Sequence, residues 1–361
     1  MSDLLSNQIK LAEQNCLNWL IHSYKKYGVG GFPHSRWMYL PAGFAWQKDY
    51  PETSGYLIEN LIKSNRSDAQ SIAISCAQWL RRLQTEDGYY HSGVRFTSKS
   101  AFNTAQILFG LRDAFEYTND ASYFDAMEKS YLALIQNIDS NGIFKHNLYQ
   151  KGYFATYYSR CIWPLLKIDQ KYYNGINKDR LNQSLYHLFN NKNEHGFFNN
   201  CGFKPDQAAL SHPVAYALEG FLESAILLQD ELIEKYILEI LSRMCIQVQE
   251  QTKIPAYYYN NLTGDYSFIC VTGQIQMAAI FLKAYQRTLQ KTYKTAAEVL
   301  LPAILQWQIK SRSADHKGAF PSSIPIWKNY FPFRYTNWTA KFFLDLCQLW
   351  ESLENIQDKN N

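Results

Sequence analysis

The sequence predicts an all-α chain of six helical hairpins, and three observations support this prediction. Glycine-aromatic turns recur at similar spacings: Gly31, Gly88, Gly142, Gly196 and Gly318 are 57, 54, 54 and 122 residues apart. The segments on either side of these turns are amphipathic with helical periodicity. Alternating runs of β-branched residues, which would indicate strands, are scarce. A fixed period over a whole chain indicates stacked units of one supersecondary type.

The longest spacing covers two units because the fifth unit has a variant turn, Ile254-Pro-Ala-Tyr257. This brings the number of units to six. Six αα-hairpins of this length are expected to close into a ring of inner and outer helices, an (α/α)6 toroid. We therefore predict a single (α/α)6 toroid domain over residues 1–361. An open superhelix of helix pairs is the alternative.

Each unit consists of a helix, a turn, a variable loop and a second helix. The first helices are predicted over residues 4–27, 69–83, 123–138, 180–189, 232–248 and 295–309. The second helices are predicted to start near Pro51, Phe102, Tyr157, Ser211, Val271 and Asn337. The turn glycine is expected to adopt a backbone conformation that other residues reach only with strain. The aromatic residue after it is expected to fill the gap between hairpins, so both have structural roles.

The composition indicates a globular protein with a large core. Of the 361 residues, 47% are hydrophobic and 19% are charged. Aromatic residues reach 16%, which fits either core packing or a lining that stacks on sugar rings. The formal charge is only +4, and no Lys/Arg run resembles a nucleic-acid-binding surface. We therefore expect no nucleic-acid partner and a weak preference for an anionic small molecule or glycan.

The seven cysteines are scattered and show neither CxxC pairs nor Cys/His ligand spacing. They are predicted to be buried free thiols in a reducing compartment, without a zinc site. No metal or cofactor is expected. The amino terminus lacks the pattern of a signal peptide, and no apolar stretch reaches membrane-spanning length. These features predict a soluble, cytoplasmic protein without a membrane span, and they leave its oligomeric state open.

The stretch from Asp49 to Tyr56 contains the strongest candidate for a catalytic acid or base. Pro51 suits the first turn of a helix, where its missing N–H would have no partner. Glu52 then lies where the helix dipole favours a negative charge. Glu52 is the candidate acid or base, although interaction with the dipole alone would also explain it. Tyr50 is a further candidate catalytic residue.

The other helix starts each bring polar groups to the same level, and long loops precede several of them. His212 and Tyr216 are four residues apart, so both can lie on one inner helix face as catalytic residues. Arg160 follows Tyr157 at an otherwise apolar helix start and needs a partner, which a substrate carboxylate or Glu52 would provide.

The remaining candidates are assigned to substrate binding. Asn103 could bind substrate or serve as a helix N-cap, and Thr272 could likewise be a cap. Cations in or near the same loops, at Arg36, Lys204 and Arg334, would suit an acidic sugar. The other candidate substrate-binding residues are Gln106, Tyr157, Gln274, Trp327, Tyr335, Asn337 and Lys341.

Several stretches carry a family resemblance. They are Tyr50–Tyr56, Phe102–Gln106, Arg160–Trp163, His212–Tyr216, Thr272–Gln276, Pro325–Trp327 and Tyr335–Phe343. Together they resemble the (α/α)-toroid proteins found with bacterial capsule and exopolysaccharide biosynthesis enzymes, often labelled prenyltransferase- or squalene-cyclase-repeat-like. The resemblance implies a six-hairpin toroid and a role in polysaccharide production. It implies no particular reaction, and the chain lacks the Asp-x-Asp-Asp acid of polyene cyclases and a prenyl-transfer zinc set.

Three functions remain open from the sequence. The first is an epimerase or lyase that abstracts the C5 proton of a uronic acid, with Tyr or His as base and acid and Arg160 or Asn103 neutralising the carboxylate. The second is a glycoside hydrolase with Glu52 as acid and Asp206 or Asp49 as base. The third is a non-catalytic glycan-binding or assembly protein. In each case the expected partner is an oligo- or polysaccharide, including acidic ones.

Overall fold

The computed structural model describes residues 2–95 and 97–360, and most of them are helical. Within these residues there are thirteen α-helices: α1 Ser2–Tyr27, α2 Ala42–Ala45, α3 Pro51–Lys63, α4 Ser67–Leu83, α5 Ala101–Thr118, α6 Ala121–Asn137, α7 Ser159–Tyr172, α8 Lys178–Phe189, α9 Ser211–Leu228, α10 Glu231–Gln251, α11 Val271–Thr288, α12 Lys291–Trp307 and α13 Asn337–Asn360. A 3₁₀ turn, Thr156–Tyr158, precedes α7. The predicted all-α class is confirmed.

The loops of the described chain also contain nine short strands: β1 Ser35–Trp37, β2 Tyr90–Ser92, β3 Ser98–Ser100, β4 Ala209–Leu210, β5 Tyr257–Tyr258, β6 Gly264–Asp265, β7 Ile269–Cys270, β8 Ser323–Ile324 and β9 Arg334–Thr336. Strand β1 pairs with β9, β2 with β3, and β7 with β8, all antiparallel. These pairs supply hydrogen-bond partners for the backbone of the long loops.

The chain divides into two compact units. The terminal unit comprises Met1–Lys48, Glu239–Tyr257 and Gly264–Asn361, and the central unit comprises Asp49–Leu238 and Tyr258–Thr263. That the whole chain forms one toroid domain stays a prediction.

Four helices of the central unit form a row, in which α3 packs against α5, α5 against α7, and α7 against α9. Helices α4, α6 and α8 cover this row, each packing against the row helix before it. The covering helix α4 buries a single stripe, Ala69, Ile72, Ala73, Cys76 and Ala77, which is the pattern of an amphipathic helix. The row helix α5 instead buries residues 101–112 without interruption. Helix α5 is therefore buried on all sides, and its polar side chains, such as Asn103 and Gln106, lie in the interior.

In the terminal unit, α11 packs against α13, and α12 and α1 pack against these two helices. The ends of α5, α9 and α11 are sharp because the residue after each helix adopts a left-handed conformation: Asn119, Gln229 and Leu289 have φ values of 57°, 59° and 59°. These stops explain why α12 begins at Lys291, four residues before the predicted start. The shortest connections thus follow these row helices, whereas the glycine-aromatic turns begin the long loops.

The turn glycines behave largely as expected. Gly88 and Gly142 have φ values of 86° and 81°, which side chains rarely tolerate. A Cβ on Gly142 would also lie 2.8 Å from backbone atoms of Gln183, so the turn presses directly on the next covering helix. Gly196 and Gly318 have positive φ as well, but Gly31 does not, and the preceding Gly30 adopts the unusual conformation instead.

The aromatic residues after these glycines are buried, as predicted, and so are the cysteines. Phe32, Tyr89, Phe144, Phe197 and Phe320 are each 7% exposed or less. All seven cysteines are buried and free. No helix in the described part of the chain is both long and apolar enough to cross a bilayer.

Candidate active site

The start of α3 holds a hydrogen-bonded chain of three polar side chains. Pro51 occupies the first turn of α3 as predicted, and Glu52 beside it is 7% exposed. The hydroxyl of Tyr50 donates to Oε2 of Glu52 over 2.6 Å. The Nδ2 amide of Asn103 donates in turn to the Tyr50 hydroxyl over 3.3 Å. Hydrogen bonds therefore link three of the predicted residues, Tyr50, Glu52 and Asn103.

Burial sets the protonation of this chain. It raises the pKa of the Glu52 carboxyl to about 7, although the hydrogen bond from Tyr50 and the charge of Arg160 both lower it. Burial, together with the nearby Glu52, raises the pKa of Tyr50 well above its usual value. Near neutral pH, Tyr50 therefore keeps its proton, while Glu52 populates both its neutral and its charged form.

Asn103 is not a helix cap. The N-cap of α5 is Ser100, whose Oγ accepts a hydrogen bond from the backbone N–H of Asn103 over 3.1 Å. The same Oγ donates to Oδ1 of Asn103 over 3.0 Å. With Oδ1 held in this way, the Asn103 amide nitrogen is oriented toward Tyr50. The capping alternative is therefore wrong for Asn103.

Arg160 is buried in the centre of the row, only 2% exposed, and its ion-pair partner is Glu219. This partner is a residue of the neighbouring helix α9, and the charge of Arg160 also lowers the pKa of the predicted partner Glu52. Pairing of Arg160 with a substrate carboxylate stays a prediction. Arg160 also donates through Nε to Oε1 of Gln106 over 3.0 Å. The helices α7 and α9 can approach each other closely because Gly220 has no side chain. A Cβ at this position would lie 2.2 Å from the backbone nitrogen of Arg160.

Glu219 is a site residue that the sequence interpretation missed. It lies seven residues after His212 and three after Tyr216, so all three side chains share one face of α9. Helical spacing from a residue already singled out was the available signal. At 6% exposure, this carboxylate requires a partner, and Arg160 provides it.

His212 and Tyr216 contact each other, as their spacing predicted, with ring centroids 4.4 Å apart. The guanidinium of Arg160 lies 4.9 Å from the centre of the Tyr216 ring. The ring centroid of Phe102 lies 5.3 Å from the ring centroids of both Tyr216 and Tyr157. An aromatic wall from three segments of the central unit, α5, the 3₁₀ turn and α9, therefore lies beside the polar groups.

The polar groups and the wall belong to one cluster. The charge of Arg160 lowers the pKa of Glu52, and the nearby Tyr216 contributes to the raised pKa of Tyr50 and Tyr56. Eight of the thirteen predicted site residues are brought together in the central unit: Tyr50, Glu52, Asn103, Gln106, Tyr157, Arg160, His212 and Tyr216.

The other five predicted residues lie in the terminal unit, in separate surroundings. Gln274 accepts a hydrogen bond from the backbone N–H of Ile254 over 2.8 Å. Tyr335 shares a hydrogen bond of 3.1 Å with Nδ1 of His316. Binding roles for Gln274 and Tyr335 stay predictions.

Lys341 is ion-paired with Asp345, which lies one turn further along the same helix, α13. Asn337 is buried at the start of this helix, and its Nδ2 donates to the carbonyl of Phe32 over 3.5 Å. Trp327 is 62% exposed in a loop. Binding roles for these residues stay predictions.

The two carboxylates considered as a partner base differ in burial. Asp206 is exposed in a loop, whereas Asp49 is 5% exposed. Burial, together with the charge of Asp49, raises the pKa of Cys76 on the covering helix α4. Within residues 2–95 and 97–360, no group of three or more His, Cys, Asp or Glu side chains is arranged to hold a metal ion.

The sequence matches no protein-family model and no curated protein. Solved structures do match. An unsaturated glucuronyl hydrolase specific for heparin has a TM-score of 0.74 at 12% identity, covering 97% of this chain and 98% of its own. A cellobiose 2-epimerase from Bacillus thermoamylovorans has a TM-score of 0.71 at 11% identity, covering 96% and 100%. A sugar epimerase from a ruminal bacterium has a TM-score of 0.68 at 12% identity, covering 95% and 98%.

These likenesses extend over nearly the whole of each chain and identify the fold. The protein belongs to the (α/α)6 toroid fold class, as the six repeats predicted. At this level of identity the comparison concerns the fold alone.

Proposed function

We propose that the protein is an enzyme that acts on a saccharide, with Glu52 as the group that accepts and donates the proton. The observation that carries this proposal is the buried Glu52 carboxyl with a pKa of about 7, hydrogen-bonded by Tyr50 beside an aromatic wall. A pKa near the working pH suits a group that must take a proton in one step and return it in another. The fold neighbours, which include sugar epimerases and glucuronyl hydrolases, support a carbohydrate substrate.

The favoured reaction is proton abstraction at C5 of a uronic acid. The ionised Glu52 takes the proton, and the electron pair is delocalised into the neighbouring substrate carboxylate. Return of a proton to the opposite face inverts C5, whereas loss of the C4 substituent gives an unsaturated product. His212 and Tyr216 are the candidates for the second proton transfer. Asn103 can stabilise the charge, because its amide has a second hydrogen besides the one donated to Tyr50.

Glycoside hydrolysis is the second candidate, because a carboxyl whose pKa is about 7 is also a suitable acid for a leaving oxygen. It requires a second carboxylate. Asp49, Asp169 and Glu219 are buried in the central unit. Asp169 accepts hydrogen bonds from Tyr131 and Asn177, and Glu219 is engaged with Arg160. The resemblance to proteins of capsule and exopolysaccharide biosynthesis supports a bacterial polysaccharide as the substrate for either reaction.

The test is to incubate the protein with uronate polymers in deuterated water. We expect deuterium at C5, with or without an unsaturated product, and a loss of about 10²–10⁴-fold in rate for Glu52→Gln. The matched control is Glu59→Gln, the same change on the same helix, which should leave the rate unchanged.

New reducing ends without deuterium would instead favour hydrolysis. Exchange that persists in Glu52→Gln would contradict the role of Glu52. A Glu52→Gln protein that retains full function in a polysaccharide-producing strain would indicate a non-catalytic glycan-binding protein.

A further inference from the structure

Two segments of the terminal unit, each a long loop with part of a helix, share an unusual composition. Residues 33–47 and 316–344 contain no Asp or Glu, yet together they hold five cations: Arg36, Lys317, Lys328, Arg334 and Lys341. They are joined directly, because β1 pairs with β9 and places Trp37 opposite Arg334. Two of these cations, Arg36 and Lys341, pair with Asp315 and Asp345, which lie directly beside the second segment. Lys317, Lys328 and Arg334 add positive charge beyond these pairs.

An array of aromatic rings lies along this junction. The Arg334 guanidinium lies 3.7 Å from the centre of the Trp37 ring. Tyr39 contacts Trp37 and Phe333, with ring centroids 5.7 and 5.9 Å apart. The backbone N–H of Phe333 donates to the carbonyl of Ile326 over 2.7 Å, which places the next residue, Trp327, beside this array. We call Trp37, Tyr39, Trp327, Phe333 and Arg334 the aromatic ribbon.

The aromatic ribbon is exposed although its side chains favour burial. Tyr39 is 65% exposed, Trp327 62% and Phe333 37%. Its backbone is also strained, because Phe331 and Phe333 have φ values of 47° and 55°. Such non-glycine conformations cost about 1–3 kcal/mol each and concentrate at functional positions. Exposure and strain together indicate a surface kept for a ligand rather than for stability.

We propose that the aromatic ribbon binds an acidic glycan of several sugar units. Its rings stack on the apolar faces of successive sugars, while Arg334, whose edge donors remain beside the stacked face, pairs with a carboxylate. Charge complementarity selects this occupant, since Arg334 lies within the ribbon and Lys328 directly follows Trp327. The inference rests on the proposed function and adds that the terminal unit binds an extended acidic chain rather than a single sugar.

The test is isothermal titration calorimetry with oligogalacturonates, compared with cello-oligosaccharides of equal length. Affinity for the acidic series should rise with length and fall with added salt. Tyr39→Ala and Trp327→Ala should each weaken binding of the longer acidic oligomer by roughly three- to tenfold, the range expected for one aromatic contact. Arg334→Gln should weaken acidic oligomers more than neutral ones, and Arg334→Lys should recover part of the loss.

The matched control is Tyr117→Ala, which removes another exposed tyrosine and should leave affinity unchanged. Calorimetry needs no turnover, so the test remains valid with the Glu52→Gln protein even if the proposed reaction is wrong. Equal affinity for short and long oligomers, or ribbon variants that bind like the wild type, would overturn the proposal. So would a monomer–dimer equilibrium abolished by Trp327→Ala, because the ribbon would then bind a second copy.

Discussion

The starts of the row helices in the central unit differ in chemistry from the starts of α11 and α13 in the terminal unit. In the central unit they carry groups of unlike charge, in which Glu52, Arg160 and Glu219 are all 7% exposed or less. In the terminal unit the starts of α11 and α13 carry hydroxyls that bond to one another, and Lys341, 3% exposed, pairs with Asp345 of its own helix. Thr339 shares hydrogen bonds of 2.6 Å with both Thr272 and Thr336.

The comparison teaches which polar residues of a repeat are structural. Buried neutral hydroxyls that satisfy each other require nothing further and stabilise modestly. Buried charges are costly unless they are paired. A raised carboxyl pKa shows that the interactions of the charged form do not offset its loss of hydration. Among these helix starts, Glu52 is therefore the group whose burial calls for a function.

The largest expected effect is on stability, from removing Arg160. Arg160→Met leaves the buried Glu219 carboxylate without its ion-pair partner, so the free energy of unfolding should fall by about 3–5 kcal/mol. Urea unfolding measures this change. Lys341→Met, in the terminal unit, should cost much less because the Asp345 side chain is 24% exposed and remains hydrated.

Pairing Arg160→Met with Glu219→Leu should restore most of the lost stability, since neither charge then remains. A double variant as unstable as Arg160→Met alone would show that packing, not charge, explains the effect.

The next effect is a pH dependence that comes from Glu52. Its pKa is about 7 in the folded protein against a usual value of 4.5, so its contribution to stability is fully present below pH 4.5 and is lost as pH rises through 7. Relative to Glu52→Gln, the wild type should lose ~3 kcal/mol of unfolding free energy between these limits. Denaturant unfolding of both proteins across this range measures the difference. A difference that stays constant with pH would contradict burial as the cause.

The smallest effect belongs to the hydroxyl network. Thr339→Val keeps the shape of the side chain and removes the central hydroxyl, so it should cost about 1–2 kcal/mol at any pH. Catalytic rate should not change. A loss of activity without a loss of stability would assign these hydroxyls to the site and remove the contrast between the units.

The helix starts could be predicted from the sequence because their signals are local. Pro51 before Glu52, and the four-residue spacing of His212 and Tyr216, depend only on helix geometry. The cap at Ser100 was missed because Asn103 is itself a good cap, although a serine three residues earlier was the competing signal.

The partner of Arg160 could not be predicted, because Glu219 lies 59 residues away and reaches it only once α7 and α9 pack. The short strands were also beyond prediction. Strands β1 and β9 are three residues long and about 300 residues apart, so neither carries a pattern of its own. The pKa of Glu52 likewise depends on the surroundings that bury it.

The most direct test of the central claim is a titration of the Glu52 carboxyl. The infrared difference spectrum between the wild type and Glu52→Gln isolates its protonated C=O band, which can be followed from acid to alkaline pH. We predict a midpoint of about 7. A midpoint near the usual 4.5 would contradict the account, because Glu52 would then be an ordinary solvated carboxylate at the end of a helix.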